Sequence, residues 1–171
     1  TKKNADDVYK YILRKITEKA RVIHANKSQN TRLNSIRMFK ENEIQILVAT
    51  DVSARGIDIS DVAAVINFNI PTSYEDYMHR IGRTGRAEKS GLAISMVNEA
   101  EKYHLEEIEK LIRQKIPLKK VPEEIELTKT TFEEQQEIAR EIDRIKRKRD
   151  PDFNGAFHKK AGKKKKNKSK D

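Results

Sequence analysis

Short apolar runs alternate with amphipathic segments over the first two thirds of the sequence. The runs are rich in β-branched residues and too brief for helices, which is typical of strands buried on both faces of a sheet. They lie at Val22–Ala25, Ile44–Ala49, Ala63–Phe68 and Leu92–Val97. In parallel sheets of this kind, ligands bind at the loops that follow the carboxyl ends of the strands.

The segments between these runs carry apolar residues at helical spacing. The first predicted helix is capped by Asn4, and its apolar positions are Ala5, Val8, Tyr9, Ile12, Leu13 and Ile16. The second begins at Ser28, and its buried side is predicted to hold Leu33, Ile36 and Phe39. A third follows the last strand, with Leu105, Ile108, Leu111 and Ile112. The alternation predicts an α/β fold, a parallel sheet with helices on both faces.

The pattern weakens after Pro117. Val121–Leu127 is predicted to be an edge strand or an extended segment, and Thr131–Arg149 a charged helix with a thin apolar stripe. Beyond Asp150 the lysine-rich sequence has almost nothing to bury, so we predict disorder there. Three parts are thus expected: a domain at 1–117, an extension with the charged helix at 118–149, and a tail at 150–171.

Charge is distributed unevenly along the chain, whose net charge is +10. Residues 146–171 hold 12 Lys and Arg against 3 Asp and Glu, which leaves 25 against 24 in the rest of the chain (37 − 12 and 27 − 3). The body is therefore nearly neutral, and the basic tail is the part that attracts anions. A flexible arm that tethers RNA is favoured over a solubilising tail.

Several classes of site are excluded or disfavoured by composition. The chain has no cysteine, so it has no disulfides and no thiolate metal ligands, and its four histidines are scattered without metal-ligand spacing. We therefore predict no metal site of its own. No apolar run reaches the length of a membrane span and no secretory signal is visible, so cytoplasm is the expected compartment. The chain starts at Thr1 directly before a helix, and is expected to be part of a longer protein.

His79–Arg86 is the segment with the strongest chemical signal. It holds three arginines, Arg80, Arg83 and Arg86, with two glycines between them that allow tight turns. Guanidinium groups on such a loop can make paired hydrogen bonds to phosphate oxygens and stabilise charge on a transferring phosphoryl group. A solvated basic turn is the alternative.

A second segment, Ala49–Ile59, follows a predicted strand directly. Thr50 and Asp51 come at the carboxyl end of that strand, where a hydroxyl and a carboxylate can face a ligand. Gly56 permits close approach of the backbone, and Asp58 is suited to accept a hydrogen bond from a ribose hydroxyl.

The third segment, Ser28–Arg32, opens a helix. Helix amino-termini favour anions through their free N–H groups and the helix dipole. Arg32 adds a positive charge in the first turn, and Gln29 lies on the same face three residues earlier.

In this order and at this spacing, the three segments resemble the second, C-terminal RecA-like domain of the DEAD-box ATP-dependent RNA helicases. They correspond to the family's Gln-x-x-Arg, Ala-Thr-Asp…Arg-Gly-x-Asp and His-Arg-x-Gly-Arg-x-Gly-Arg motifs. The resemblance covers Thr1 to about Pro117, and it implies that the first strand of the domain is missing. Asn69 departs from the family, which often has an acidic residue there. The basic tail is similar to those of bacterial members.

The resemblance also implies roles for individual residues. Arg83 and Arg86 would be arginine fingers that reach ATP, and Gly56 and Asp58 would contact its ribose. The residues implied in RNA binding are Thr1, Gln29, Arg32 and Thr50. Those implied in ordering the loops are Asp51, Arg55, His79 and Arg80.

No Gly-x-x-x-x-Gly-Lys-Ser/Thr phosphate loop and no Asp-Glu-Ala-Asp segment occurs in the sequence. In the family these belong to the N-terminal RecA-like domain, which would make most of the contacts to ATP and Mg²⁺. We therefore expect the C-terminal half of an RNA helicase, a monomer with RNA and that domain as its partners, inactive in ATP hydrolysis by itself. A non-catalytic RNA-binding or scaffold module with the same fold is the alternative. A DNA helicase of a related superfamily is disfavoured by the spelling of the arginine motif.

Overall fold

The computed structural model describes residues 1–54, 59–85, 90–125, 130–150 and 152–153. The elements are α1 (Lys2–Lys15), β1 (Ala20–Ile23), α2 (Gln29–Lys40), β2 (Ile46–Ala49), α3 (Asp51–Ala54), β3 (Ala64–Asn67), α4 (Tyr74–Ile81), β4 (Leu92–Ser95), α5 (Lys102–Ile112) and α6 (Phe132–Arg149). This order confirms the predicted α/β class. Three strands lie within their predicted runs, and β1 begins two residues earlier than its run.

The described strands form two pairs. β1 and β2 are parallel, in a register that pairs Ala20 with Ile46 and Ile23 with Ala49. β3 and β4 form the second pair. Because β1 and β2 end at the same edge, the loops after them also start there, and the Thr50 N–H donates to the Ile23 carbonyl at 3.4 Å. The loops predicted to carry function are thus adjacent in this pair.

Helices α1 and α2 pack on the first strand pair. The apolar side chains buried there are Ala5, Ile12, Ala20, Val22, Ile23 and Ile44. The prediction that Leu33 is buried was wrong, since it is 56% exposed and Ser35 is the buried residue of α2. Ser35 can occupy this position because its hydroxyl donates to the Thr31 carbonyl at 2.8 Å, which satisfies the polar group inside the helix.

The helix caps agree with prediction in one case and differ in the other. Ser28 caps α2, and its Oγ accepts the Thr31 N–H at 3.2 Å. Asn4 does not cap α1, because the Thr1 hydroxyl accepts the Asn4 N–H at 3.2 Å and the helix starts at Lys2. A threonine hydroxyl three residues before a free N–H also satisfies it, so the helix starts earlier and gains almost a full turn.

The chain divides into two compact units. One comprises residues 1–67 with 75–94, and the other joins 68–74 to the described residues from Ser95 onward. In the second unit, a capping box of Thr131 and Glu134 starts α6. Near the other end of α6, the Arg149 guanidinium lies 4.3 Å from the centre of the Tyr103 ring on α5.

Two other expectations concern the part after Pro117. The described part of 121–127 contains a turn, with the Ile125 N–H donating to the Pro122 carbonyl at 3.1 Å, so the predicted edge strand was wrong there. Of the predicted tail, only Asp150, Asp152 and Phe153 are described, and its predicted disorder lies outside the described residues.

Among the helices of the described ranges, none has the length and apolar character needed to cross a membrane.

The core of α5 allows a direct test of the packing. Ile108 is fully buried, whereas Leu111 on the same helix is 52% exposed. We expect Ile108→Ala to lower the free energy of unfolding by about 2–5 kcal/mol, because it removes buried methyl groups and leaves a cavity. Leu111→Ala, the matched control, should change it by less than about 0.5 kcal/mol. Chemical denaturation measures both, and equal effects would contradict the packing of α5.

Candidate functional site

Arg80 and Asp51 form a two-fold hydrogen-bonded ion pair. Arg80 lies in the last turn of α4, and Asp51 is the first residue of α3, directly after β2 and Thr50. Arg80 Nε donates to Asp51 Oδ1 at 2.7 Å, and Nη2 donates to Oδ2 at 2.8 Å. This bidentate geometry restricts the orientation of both side chains, since two parallel hydrogen bonds require the planar guanidinium and the carboxylate to lie nearly in one plane.

Asn67 adds a third segment to this pair. It ends β3, is 2% exposed, and accepts a hydrogen bond from Arg80 Nη1 at 3.2 Å. The end of β2, the end of β3 and the last turn of α4 therefore meet at one guanidinium. Sequence reasoning missed Asn67, although an asparagine within the apolar run Ala63–Phe68 was a visible signal.

The arginine motif begins as a helix and continues as a turn. It was predicted as a loop, but its first three residues, His79–Ile81, are in α4. The helix can extend into the motif because the next backbone N–H groups have carbonyl acceptors in its last turn. The Gly82 N–H donates to the Met78 carbonyl at 2.9 Å, and the Arg83 N–H donates to the Arg80 carbonyl at 3.1 Å.

Arg83 is held in the turn by backbone carbonyls. Its Nε donates to the His79 carbonyl at 3.2 Å, and its Nη1 donates to the Ile59 carbonyl at 3.4 Å. The Val62 N–H donates to the Arg83 carbonyl at 3.1 Å. The turn after α4 is thus fixed against residues 59–62, and the Arg83 side chain with it.

Two glycines are required by the geometry of this turn. Gly85 has φ of 69°, in the left-handed region that side chains disfavour. A Cβ at Gly91 would overlap the backbone of Gly85 and the Thr84 hydroxyl. Gly91 is a second residue that sequence reasoning missed, and the turn passes this close to it only because it has no side chain.

Arg32 connects the start of α2 to α3. Its Nη1 donates to Gln29 Oε1 at 3.0 Å, and its Nη2 donates to the Ser53 carbonyl at 3.4 Å. The structure thus brings the predicted Gln29–Arg32 pair together. Arg32 Nε and Ser53 Oγ are buried with no hydrogen-bond partner among the described residues. Thr50 precedes α3, and its carbonyl accepts the Ser53 N–H at 2.9 Å.

The other predicted site residues are placed as follows. Thr1 is exposed at the start of α1, and His79 is exposed on α4. Arg55, Gly56, Asp58 and Arg86 lie outside the described residues. Within the described ranges, no group of three or more His, Asp or Glu side chains could hold a metal ion.

Comparison with known proteins assigns the chain to a family. The family described as the helicase conserved C-terminal domain matches residues 1–88, just over half of the chain. The DEAD-box ATP-dependent RNA helicase RhpA of Helicobacter pylori is 43% identical over 122 residues, which cover 71% of this chain and 25% of that protein. The chain spans about a quarter of the length of the curated relatives it matches.

Solved structures show the same fold. The Escherichia coli DEAD-box protein SrmB, in a structure with the regulator of ribonuclease activity A, matches with a TM-score of 0.63 and 32% identity over 72% of this chain and 78% of that chain. The C-terminal domain of the DEAD-box protein Dbp5 matches with a TM-score of 0.61 and 34% identity over 66% of each chain. The chain therefore belongs to the helicase conserved C-terminal domain family, and it contains the C-terminal RecA-like domain of a DEAD-box protein.

Proposed function

We propose that this chain is the C-terminal half of an ATP-dependent RNA helicase that remodels or locally unwinds RNA duplexes. The observation that carries the proposal is the bidentate Arg80–Asp51 pair, because it joins the strand-end Thr-Asp motif to the arginine motif in one structure. Relatives named as ATP-dependent RNA helicases support it. They also favour it over a non-catalytic scaffold module.

The nucleotide end of the proposed site consists of cations and a ribose contact. ATP and Mg²⁺ would be bound mainly by the N-terminal RecA-like domain of the same protein. ATP would supply the phosphoryl group that is transferred to water. Arg83 and Arg86 donate from their guanidinium groups to its phosphates, and Gly56 and Asp58 contact its ribose. The fixed turn around Arg83 suits this role, because a preorganised donor does not have to reorient as charge develops.

The RNA end of the proposed site consists of short polar and cationic side chains. Arg32, Thr50 and Thr1 bind phosphates, and Gln29 orients Arg32 through the 3.0 Å hydrogen bond. The loops that carry them are ordered by Asp51, Arg55, His79 and Arg80. Contacts to phosphates fix the position of RNA but do not read its bases, so the domain binds RNA with little sequence preference.

The two ends communicate through shared loops. Asp51 follows Thr50 directly and pairs with Arg80, three residues before Arg83. Closure of the two RecA-like domains on ATP brings the arginines to the phosphates while the RNA surface bends the bound strand. Release of phosphate reopens the cleft.

The arginine fingers are tested by Arg86→Ala in the full-length protein. We expect RNA-stimulated ATP turnover to fall by roughly 10³-fold or more, because the charge that develops on the phosphoryl group loses its partner. RNA affinity should remain within about twofold, as a binding titration would measure. Arg14→Ala on the exposed face of α1 is the matched control. Turnover within tenfold of the wild type would contradict the assignment.

The Arg80–Asp51 pair is tested by a double-mutant cycle. Because Asp51 is 38% exposed, we discount the pair for solvent and expect a coupling of about 1 kcal/mol between Asp51→Ala and Arg80→Ala in the free energy of unfolding. ATP turnover in the double variant should be no lower than in the worse single variant. The exposed pair of Arg37 and Glu41 is the control, with a coupling of about 0.5 kcal/mol or less. Additive losses at Asp51 and Arg80 would show that they act separately.

The basic tail is tested by truncating the full-length protein after Asp150, which removes eight lysines at 159–171. We expect weaker RNA binding and a shallower dependence of log affinity on log salt, by about 0.7 for each phosphate of a single strand that the lysines no longer neutralise. A tail of equal length with these lysines changed to glutamine is the control, and it should behave like the truncation. An unchanged slope would show that the tail does not bind RNA.

A further inference from the structure

The loop between β1 and α2, residues 24–28, is held against α1 by side-chain contacts. Asp6 uses its two carboxylate oxygens for two different partners in that loop: Oδ2 lies 3.1 Å from His24 Nε2, and Oδ1 lies 3.2 Å from Lys27 Nζ. Lys2, one turn earlier on α1, donates from Nζ to Asn26 Oδ1 at 2.9 Å. We call these three contacts the Asp6 tether.

His24 is the buried member of the tether, at 2% exposure. The Asn26 N–H donates to His24 Nδ1 at 3.3 Å, so Nδ1 must be the unprotonated nitrogen and Nε2–H donates to Asp6. The hydrogen bond from His24, and then that from Lys27, lowers the pKa of the Asp6 carboxyl below its ordinary value. The acceptor is therefore charged at neutral pH, which strengthens both contacts.

The tether joins the two segments that begin the RNA surface. Asp6 is five residues from Thr1, which caps α1, and Lys27 directly precedes Ser28, which caps α2 and is followed by Gln29. We propose that Asp6 and His24 are positioning residues for RNA binding: they fix the start of α2 against the start of α1, so that Arg32 and Thr1 meet one RNA strand together. This inference rests on the proposed function.

A carboxylate beside an RNA surface would ordinarily repel phosphates. Asp6 does so less because Lys27 lies against it, and the pair is locally neutral. Removing Asp6 therefore has two opposite effects on RNA affinity: weaker repulsion raises it, and a loosened loop lowers it. His24 separates these effects, because changing it alters the tether without altering the charge of Asp6.

The experiment compares His24→Gln with His24→Asn in the full-length protein. The glutamine amide nitrogen can take the place of Nε2 and donate to Asp6, whereas asparagine reaches only the position of Nδ1 and its hydrogen bond with Asn26. We expect His24→Asn to raise the half-saturating concentration of a single-stranded RNA oligonucleotide in the ATPase assay about tenfold, and His24→Gln to stay within about twofold. The kcat at saturating RNA should be within about twofold of the wild type for both.

Surface variants cover the case in which His24 substitutions unfold the protein. Compared with Asp7→Leu, Asp6→Leu should raise the half-saturating RNA concentration, and Asp6→Asn, which keeps an acceptor for His24, should raise it less. Asp7→Leu is the matched control, because Asp7 is exposed on the same helix and its removal changes the charge without changing the tether. The same RNA dependence in Asp6→Leu as in Asp7→Leu, or equal shifts for both His24 variants, would overturn the proposal.

Arg32→Ala separates this inference from the proposed function. If Arg32→Ala raises the half-saturating RNA concentration but Asp6→Leu and His24→Asn do not, the RNA surface stands and the tether does not position it. If Arg32→Ala also leaves RNA dependence unchanged, the proposed RNA surface itself is wrong. Unfolding midpoints of all variants distinguish a loss of stability from a shift in RNA dependence alone.

Discussion

The Arg80 guanidinium lies where three parts of the chain end, and its hydrogen bonds hold those ends together. It donates two hydrogen bonds to Asp51, which follows β2, and a third to Asn67 at the end of β3. Only a planar group with several fixed donors can satisfy partners in these directions, so lysine could not replace it. The Arg80 carbonyl also accepts the Arg83 N–H at 3.1 Å, so the turn that carries Arg83 starts from the same residue. The ends of β2 and β3 and the turn that carries Arg83 therefore meet at this one residue.

Elsewhere in the chain, single carboxylates hold the loops that follow β-strands in a comparable way. In the first unit, Asp6 contacts His24 and Lys27 in the loop after β1, each through a different carboxylate oxygen. In the second, Glu101 accepts the Ile70 N–H at 3.2 Å and the Asn98 N–H at 3.1 Å. In each case one carboxylate accepts hydrogen bonds at both of its oxygens, Asp6 from within α1 and Glu101 from the residue that caps α5.

Sequence located the strands well, because short runs rich in β-branched residues favour extended backbone. The predicted burial of both faces was wrong for part of the second strand pair, where Ile66, Leu92 and Ile94 are 61%, 54% and 45% exposed. The Ser28–Arg32 and Ala49–Ile59 segments come soon after predicted strands, so the strand positions also placed the start of these segments at the carboxyl ends of β1 and β2. What the sequence could not show was competition between near-equal partners. Thr1 and Asn4 can both cap a helix, and Ser35 can face the core once its hydroxyl bonds to the Thr31 carbonyl. The role of Asn67 depends on where Arg80 lies, which is 13 residues away in the chain and is set by α4.

Thr1 has a single hydroxyl proton, and it is already donated to Asn4 Oδ1 at 2.7 Å. A phosphate bound at this hydroxyl must displace the amide oxygen, so the contact exchanges one acceptor for another and adds no hydrogen bond. The oxygen of the hydroxyl meanwhile keeps the Asn4 N–H, and the first turn of α1 stays capped. The favourable part of such an exchange is the difference in charge between phosphate and amide oxygens, which dissolved ions screen.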